Sequence, residues 1–252
     1  MTLDQHADII CTTILMGQPV SDVLTGIDVP TGIALQDLVA ERLSAPWGGV
    51  AGYKIAWNKP EVWKAKGLSG PAMARVFQKS VFRDRATVAL SDYRGLAVEP
   101  EIIARIGSAT EPGVVYSRES IAHHVAGFSV GIEVLDRLSG ALSPGSAIAH
   151  NVFNAGAVIA SREVAPDRFD HERITTRVVH GDTSLAEGGA MAPQDPLEAV
   201  ADVATHFGAR GYALEAGQII LCGSHIDVYA IDAAGKFGVA MSGLGEAWLS
   251  VA

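Results

Sequence analysis

Cysteine is scarce in this 252-residue chain, which holds only Cys11 and Cys222. Two thiols exclude a disulfide framework and any zinc site built on several thiolates, and they fit a reducing compartment. Positive charge is also in short supply. Against 28 Asp and Glu there are 19 Lys and Arg, a formal net charge of −9. The basic residues are scattered, which argues against nucleic acid or an anionic membrane as a partner, since phosphates are gripped by clustered Lys and Arg. No apolar run approaches the roughly 20 residues that span a bilayer. The N-terminus places Asp4, His6 and Asp8 among its first residues and has no basic stretch, so it does not read as a secretory signal. The expectation is a soluble, cytoplasmic protein.

What is present is apolar matter, 48% of the residues, enough for a sizeable core in a chain of this length. Residues 3–16 carry Ile9, Ile10, Thr13, Ile14 and Met16 at helical spacing, ended by Gly17 and Pro19. A second helical stretch runs from Ala34 to Leu43, with Thr31 as a candidate N-cap and Pro46 and Gly48-Gly49 closing it. From residue 50 the texture changes to short β-like runs between Gly, Pro and Asp. Strands are expected over 50–56, 86–91, 96–106, 128–135, 157–161, 174–180, 218–223, 228–231, 238–242 and 247–251. Helical pattern returns at 120–126 and at 196–207, and Gly188-Gly189 beside Glu187 reads as a mobile hairpin or loop. Strands dominate without regular alternation with helices, which favours an α+β fold with a rolled mixed β-sheet over a doubly wound one. The expected organisation is a helical segment over 1–49 followed by one globular unit over 50–252.

The centre of interest is Val98-Glu99-Pro100-Glu101-Ile102. Strand side chains alternate with period two, so both carboxylates face one way. With no Lys or Arg inside the run, a divalent cation is the simplest group that turns their repulsion into binding. Alone, a Glu-x-Glu more often describes an exposed edge strand with two solvated acids. A third acid, Glu133, is embedded in Gly131-Ile132-Glu133-Val134-Leu135, with a helix between the two runs that offers a crossover. Three carboxylates would hold Mg²⁺ or Mn²⁺ and leave positions for a substrate's oxygens. Lys54 sits among apolar neighbours in Gly52-Tyr53-Lys54-Ile55, and an inward lysine needs an anionic partner. Gly223-Ser224 ends an apolar run where a backbone N–H and a hydroxyl can receive a carboxylate.

These pieces, together with Asp195-Pro196-Leu197 leading a helix and Gly217-Gln218-Ile219-Ile220-Leu221-Cys222-Gly223, stand in the order and approximate spacing of the fumarylacetoacetate hydrolase superfamily. Within it the chain most resembles the branch of 2-keto-4-pentenoate hydratases and 4-oxalocrotonate decarboxylases. The resemblance runs from about residue 4 to the end. It implies the fold of that superfamily's C-terminal domain, a bound Mg²⁺ or Mn²⁺, a small 2-oxo acid or its enol as substrate, homo-oligomers, association with a pathway neighbour, and a part in aromatic degradation. Glu99, Glu101 and Glu133 match the family's metal ligands, and Lys54 its active-site lysine.

Two departures stand out. The lysine strand continues as Ala56-Trp57-Asn58 where close hydratases have Gly-Leu-Thr, and the family's Asp-Asn-Ala-Ser falls on His150-Asn151-Val152-Phe153 or on Asn151 to Asn154. His150, Asn151 and Asn154 are therefore candidate substrate-binding residues, with His150 either a new acid or base or a structural histidine. His123 and His124 are adjacent and diverge by about 100° on a helix, so they do not share an ion. Arg83, Asp84 and Arg85 read as a solvated turn whose arginines are candidates for a distal carboxylate. The functional expectation is a metal-dependent lyase with a hydratase reaction first. A decarboxylase, an acylpyruvate-type C–C hydrolase and a non-catalytic partner subunit are the alternatives.

Overall fold

The computed structural model describes residues 1–138, 142–189, 194–224 and 226–252. Its first helix, α1 (Leu3–Met16), has the expected bounds. Thr2 accepts the Gln5 N–H while the Gln5 side chain reaches back to the Thr2 N–H, a capping box, and Gly17 ends the helix at φ 63°. The second, α2 (Val29–Trp47), is longer than its apolar pattern indicated. Its cap is Asp28, whose carboxylate accepts the Thr31 N–H, so Thr31 is capped and is not the cap. Pro46 lies inside the last turn, where a missing N–H costs one terminal bond, and left-handed Gly48 stops the helix. Ile10, Leu24, Leu35, Val39 and Leu43 bury together with Phe77 in a small core of their own.

The rest of the chain runs β1 (Val50–Ala56), α3 (Pro60–Ala65), β2 (Ala72–Phe77), β3 (Val81–Arg83), β4 (Arg85–Val88), β5 (Leu96–Ile106), α4 (Arg118–Ala122), β6 (Val125–Asp136), α5 (Pro144–Ala149), β7 (Asn154–Ile159), β8 (Thr175–His180), β9 (Thr183–Gly189), α6 (Pro196–Gly208), β10 (Ile219–Ser224), β11 (Tyr229–Ala230), β12 (Gly235–Met241) and β13 (Gly245–Val251). A large mixed sheet has the order β2-β1-β10-β5-β6-β7-β3, with β11 beside β5. A second sheet has the order β4-β13-β12-β8-β9. The α+β expectation with a mixed sheet holds, and its strands divide into two sheets. β9 pairs antiparallel with β8, so Glu187, Gly188 and Gly189 lie in a hairpin, one of the two forms expected there. β5 and β6 pair antiparallel along most of their length, so α4 lies in the connection of an antiparallel pair and makes no parallel crossover.

Alternation along the large sheet sorts its residues cleanly. Tyr53, Val98, Ile102, Val130, Ile132, Val134, Ile220 and Cys222 point into the main core, which they share with Val200 and Phe207 of α6 and with Phe237, Val239 and Leu249 of the second sheet. Their strand neighbours Lys54, Glu99, Glu101 and Glu133 take the opposite face. Pro100 is tolerated in mid-strand because pairing on that side of β5 passes from β10, which ends at Ser224↔Glu101, to β11, which begins at Tyr229↔Val98.

Candidate metal centre

Register brings the acids together. Glu99 lies directly opposite Glu133 on β5 and β6, and Glu101 pairs with Ser224 of β10. One carboxylate oxygen from each of Glu99, Glu101 and Glu133 falls within 4.8 Å of the others. Glu101 and Glu133 are fully buried and Glu99 is partly so. Lys54 enters from β1, with its Nζ 2.6 Å from Glu133 Oε1. The Asn154 amide donates to that same oxygen at 2.7 Å, and the Gly223 N–H donates to Glu101 Oε2 at 2.7 Å. Gly223 adopts φ +99°, and a Cβ on it would lie 2.3 Å from Asn58 Nδ2, so only glycine presents its N–H here.

Three carboxylates answered by one ammonium are short of positive charge. Burial, then the Glu133 charge, push Glu99 up to about 7, with Lys54 opposing. Glu101 is pushed well above the usual carboxylate range by burial and by both neighbouring acids. For Lys54 burial works against the ammonium, but the acids, Glu133 foremost, outweigh it and hold the lysine above its ordinary value. Glu101 Oε1 and Glu133 Oε2 are buried without a hydrogen-bond partner. Unpartnered, converging carboxylate oxygens are what a hard divalent cation binds, and the residues fit one.

Lys54 and Glu99 line a cavity of about 530 Å³. Gly223 and Ser224 are also in its wall, and the Ser224 hydroxyl donates to the Ile226 carbonyl. Three exposed cations, Lys59, Lys66 and Arg137, belong to the same wall, accompanied by Asp227. Nothing in the sequence pattern marks these three as neighbours of the acids. Lys59 and Lys66 lie far from the acids along the chain and folding gathers them, while Arg137 follows Glu133 closely on the same segment. Asn58 was likewise missed as a functional residue, and its amide nitrogen is buried and unpartnered beside Gly223.

Two candidates fall elsewhere. His150 is outside this cavity, 2% exposed, with Nδ1 2.8 Å from the Ser146 carbonyl oxygen. Asn151 clamps the backbone of Arg75, accepting its N–H at 2.8 Å and donating to its carbonyl at 2.7 Å. The cause is local. Asn151, Val152 and Phe153 take φ of 53°, 38° and 65°, three consecutive left-handed residues, so the segment turns His150 and Asn151 away while Val152 and Phe153 line the cavity. Trp57, in the other departing segment, is also left-handed at φ 57° and lines the cavity. Asp195 caps α6 and pairs with Arg118, and Arg83 and Arg85 lie outside the acid-lined cavity.

No family model matches the chain. It is 23% identical over 234 residues to a 2-keto-4-pentenoate hydratase of Burkholderia vietnamiensis, covering 90% of this chain and 88% of that one. Among solved structures it is similar to the 4-oxalocrotonate decarboxylase of Pseudomonas putida G7 complexed with magnesium and adipate. That similarity has a TM-score of 0.88 and 19% identity over 99% of this chain and 97% of the other. A fumarylpyruvate hydrolase from Pseudomonas aeruginosa, complexed with Mn²⁺ and pyruvate, superposes with a TM-score of 0.56 and 18% identity, covering 79% of this chain and 88% of that one. These relatives are named as enzymes, and the two solved ones hold divalent metals. The fold agrees with the one the resemblance implied: the chain shares the architecture of these solved enzymes.

Proposed function

We propose that the chain is a divalent-metal-dependent lyase acting on a small 2-oxo acid or its dienol. The observation that carries this reading is the convergence of Glu99, Glu101 and Glu133 with Lys54, at the wall of a cavity that Lys54 and Glu99 line. A divalent cation held by the three carboxylates supplies Lewis acidity toward a bound 2-oxo acid. Lys54, kept charged by Glu133, places a proton donor and a positive charge beside that position, suited to hold a developing oxyanion or return a proton to carbon. Asn154 fixes Glu133, and Gly223 fixes Glu101, so the acids need little reorganisation. The side chains of Trp57, Val152 and Phe153 give the cavity apolar walls.

The hydratase reading was first from the sequence. A specific observation favours the decarboxylase-like one. Lys59, Lys66 and Arg137 provide cations for a second carboxylate, which a dienoate monoacid lacks and an oxo-enedioate has. The test is to incubate the Mg²⁺-loaded protein with 2-hydroxypenta-2,4-dienoate and with 2-oxohex-3-enedioate, following loss of ultraviolet absorbance and identifying products by mass. Release of CO₂ from the diacid supports decarboxylation, and water addition to the dienoate supports hydration. Stoichiometric metal without turnover of either acid would leave the fold as that of a partner subunit. A homo-oligomeric state is part of the proposal and is read by light scattering.

A further inference from the structure

The three cations in the wall of the metal cavity are not equivalent. Burial and Glu133 push Glu99 up while Lys54 and Arg137 oppose the rise, so Arg137 is a neighbour of the acids and belongs to the metal end. Lys59 and Lys66 bracket α3, one before its first residue and one after its last. No residue of α3 is buried, so the helix itself gives neither lysine a seat. Among the described residues no carboxylate lies within ion-pair distance of either. Lys66 nonetheless has a support. Its Nζ lies 4.5 Å from the centroid of the Trp57 ring.

Trp57 itself is held in an uncommon state. It follows β1 three residues after Lys54, at φ 57°, a left-handed conformation that a bulky side chain keeps only where its surroundings impose it. Its side chain packs on the buried cluster of Ala72, Ala74, Ile148 and Val152. A ring anchored in this way offers a fixed face to an ammonium, whose N–H donors turned away from the ring stay free. Lys66 is thus a seated, unpaired positive charge in the wall of the cavity that Lys54 and Glu99 also line.

We propose that Trp57 is a positioning residue, whose ring seats Lys66 to receive the far carboxylate of a dicarboxylic 2-oxo acid, so that the Trp57 and Lys66 pair sets a preference for diacids over monoacids of equal length. The inference rests on the reading of the cavity as a metal-dependent 2-oxo acid site.

The test is calorimetric titration of the Mg²⁺-loaded protein with 2-oxoadipate and with 2-oxohexanoate, which has the same number of carbons and a methyl in place of the far carboxylate. The diacid should bind at least tenfold tighter. Lys66→Met, at an exposed position, should collapse that ratio to below threefold. Trp57→Leu should lower the ratio at least threefold, Trp57→Phe, which keeps a ring face, should preserve it, and Trp57→Leu added to Lys66→Met should lower it no further. A ring that serves only as a wall would weaken both acids together and leave the ratio intact. An undiminished ratio in folded Trp57→Leu, or in Lys66→Met, would overturn the assignment, as would equal affinity of the two acids for the unaltered protein. Binding of 2-oxohexanoate with and without Mg²⁺ tests the metal reading by itself. If that binding needs Mg²⁺ and the diacid gains nothing, the present inference alone falls; if neither acid binds, both fall.

Discussion

Two buried charge clusters lie on opposite faces of β1 and β2 and are resolved in opposite ways. On one face Lys54 meets three glutamates, a formal surplus of negative charge. On the other, one step along each strand, Arg75 shares Asp37 with Arg210, at 2.6 and 3.5 Å, a surplus of positive charge. The arginines stack on aromatic faces: Arg75 is 4.9 Å from the Phe207 centroid and 4.8 Å from that of Tyr212, and Arg210 is 4.5 Å from Phe207. Cation–π contact absorbs the surplus inside the fold. The acids have no such internal answer, and one of them, Glu99, borders a cavity together with Lys54. Surplus charge that the protein can soak up is architecture, while surplus charge opened to a cavity is an invitation to an ion.

Breaking each cluster sharpens the contrast. The largest effect is expected from Glu101→Ala, which should weaken Mn²⁺ binding at least a hundredfold by titration calorimetry while the fold persists in circular dichroism. Lys54→Met should abolish turnover of a 2-oxo acid substrate while metal binding persists, because it removes the proton donor and leaves the three ligands in place. Glu133→Gln leaves Lys54 buried without its carboxylate partner and should cost about 3 kcal/mol in urea unfolding of the metal-free protein, the order seen when one partner of a buried pair is removed.

The pH dependence follows from Glu99. Its proton is held up to about pH 7, and a cation must displace it. Metal affinity should therefore fall at least about fivefold as pH drops from 7 to 6 through Glu99 alone, and further because Glu101, also raised, has a proton to release. The same shift has a stability sign. A carboxylate whose folded value lies above its unfolded one binds more protons when folded, so metal-free stability declines as pH rises from about 4.5 through 7. Melting of the metal-free protein at pH 5.5 and 8 reads this, and saturating Mg²⁺ should restore the loss at pH 8. The smallest effect belongs to the other face. Arg75→Leu should cost about 1–2 kcal/mol, the range for losing a desolvated cation–π contact, with metal affinity unchanged.

Much of this was legible before folding, for physical reasons that can be named. β1 and β5 take their expected bounds because apolar β-formers are punctuated there by Gly, and period-two alternation alone puts Glu99 and Glu101 on one face. β2 went unseen since Ala72–Phe77 is buried on both faces and shows no alternation. The short helices α3 and α5 carry too few turns to display a period. His150 lies outside the cavity, where three successive left-handed residues follow it, and no composition or spacing announces that turn; of its two readings the buried position matches the structural histidine. No helix among the described residues is long and apolar enough to cross a membrane, in keeping with the absence of a long apolar run.

The direct pairing of Glu99 with Glu133 carries one more consequence. A slip of a single residue between β5 and β6 would rotate one acid toward the hydrophobic interior and scatter the trio. A cation able to bind only the correctly aligned ladder would thus act as a proofreader of strand registry, and refolding with Mn²⁺ present should yield fewer misaligned chains than refolding with chelator.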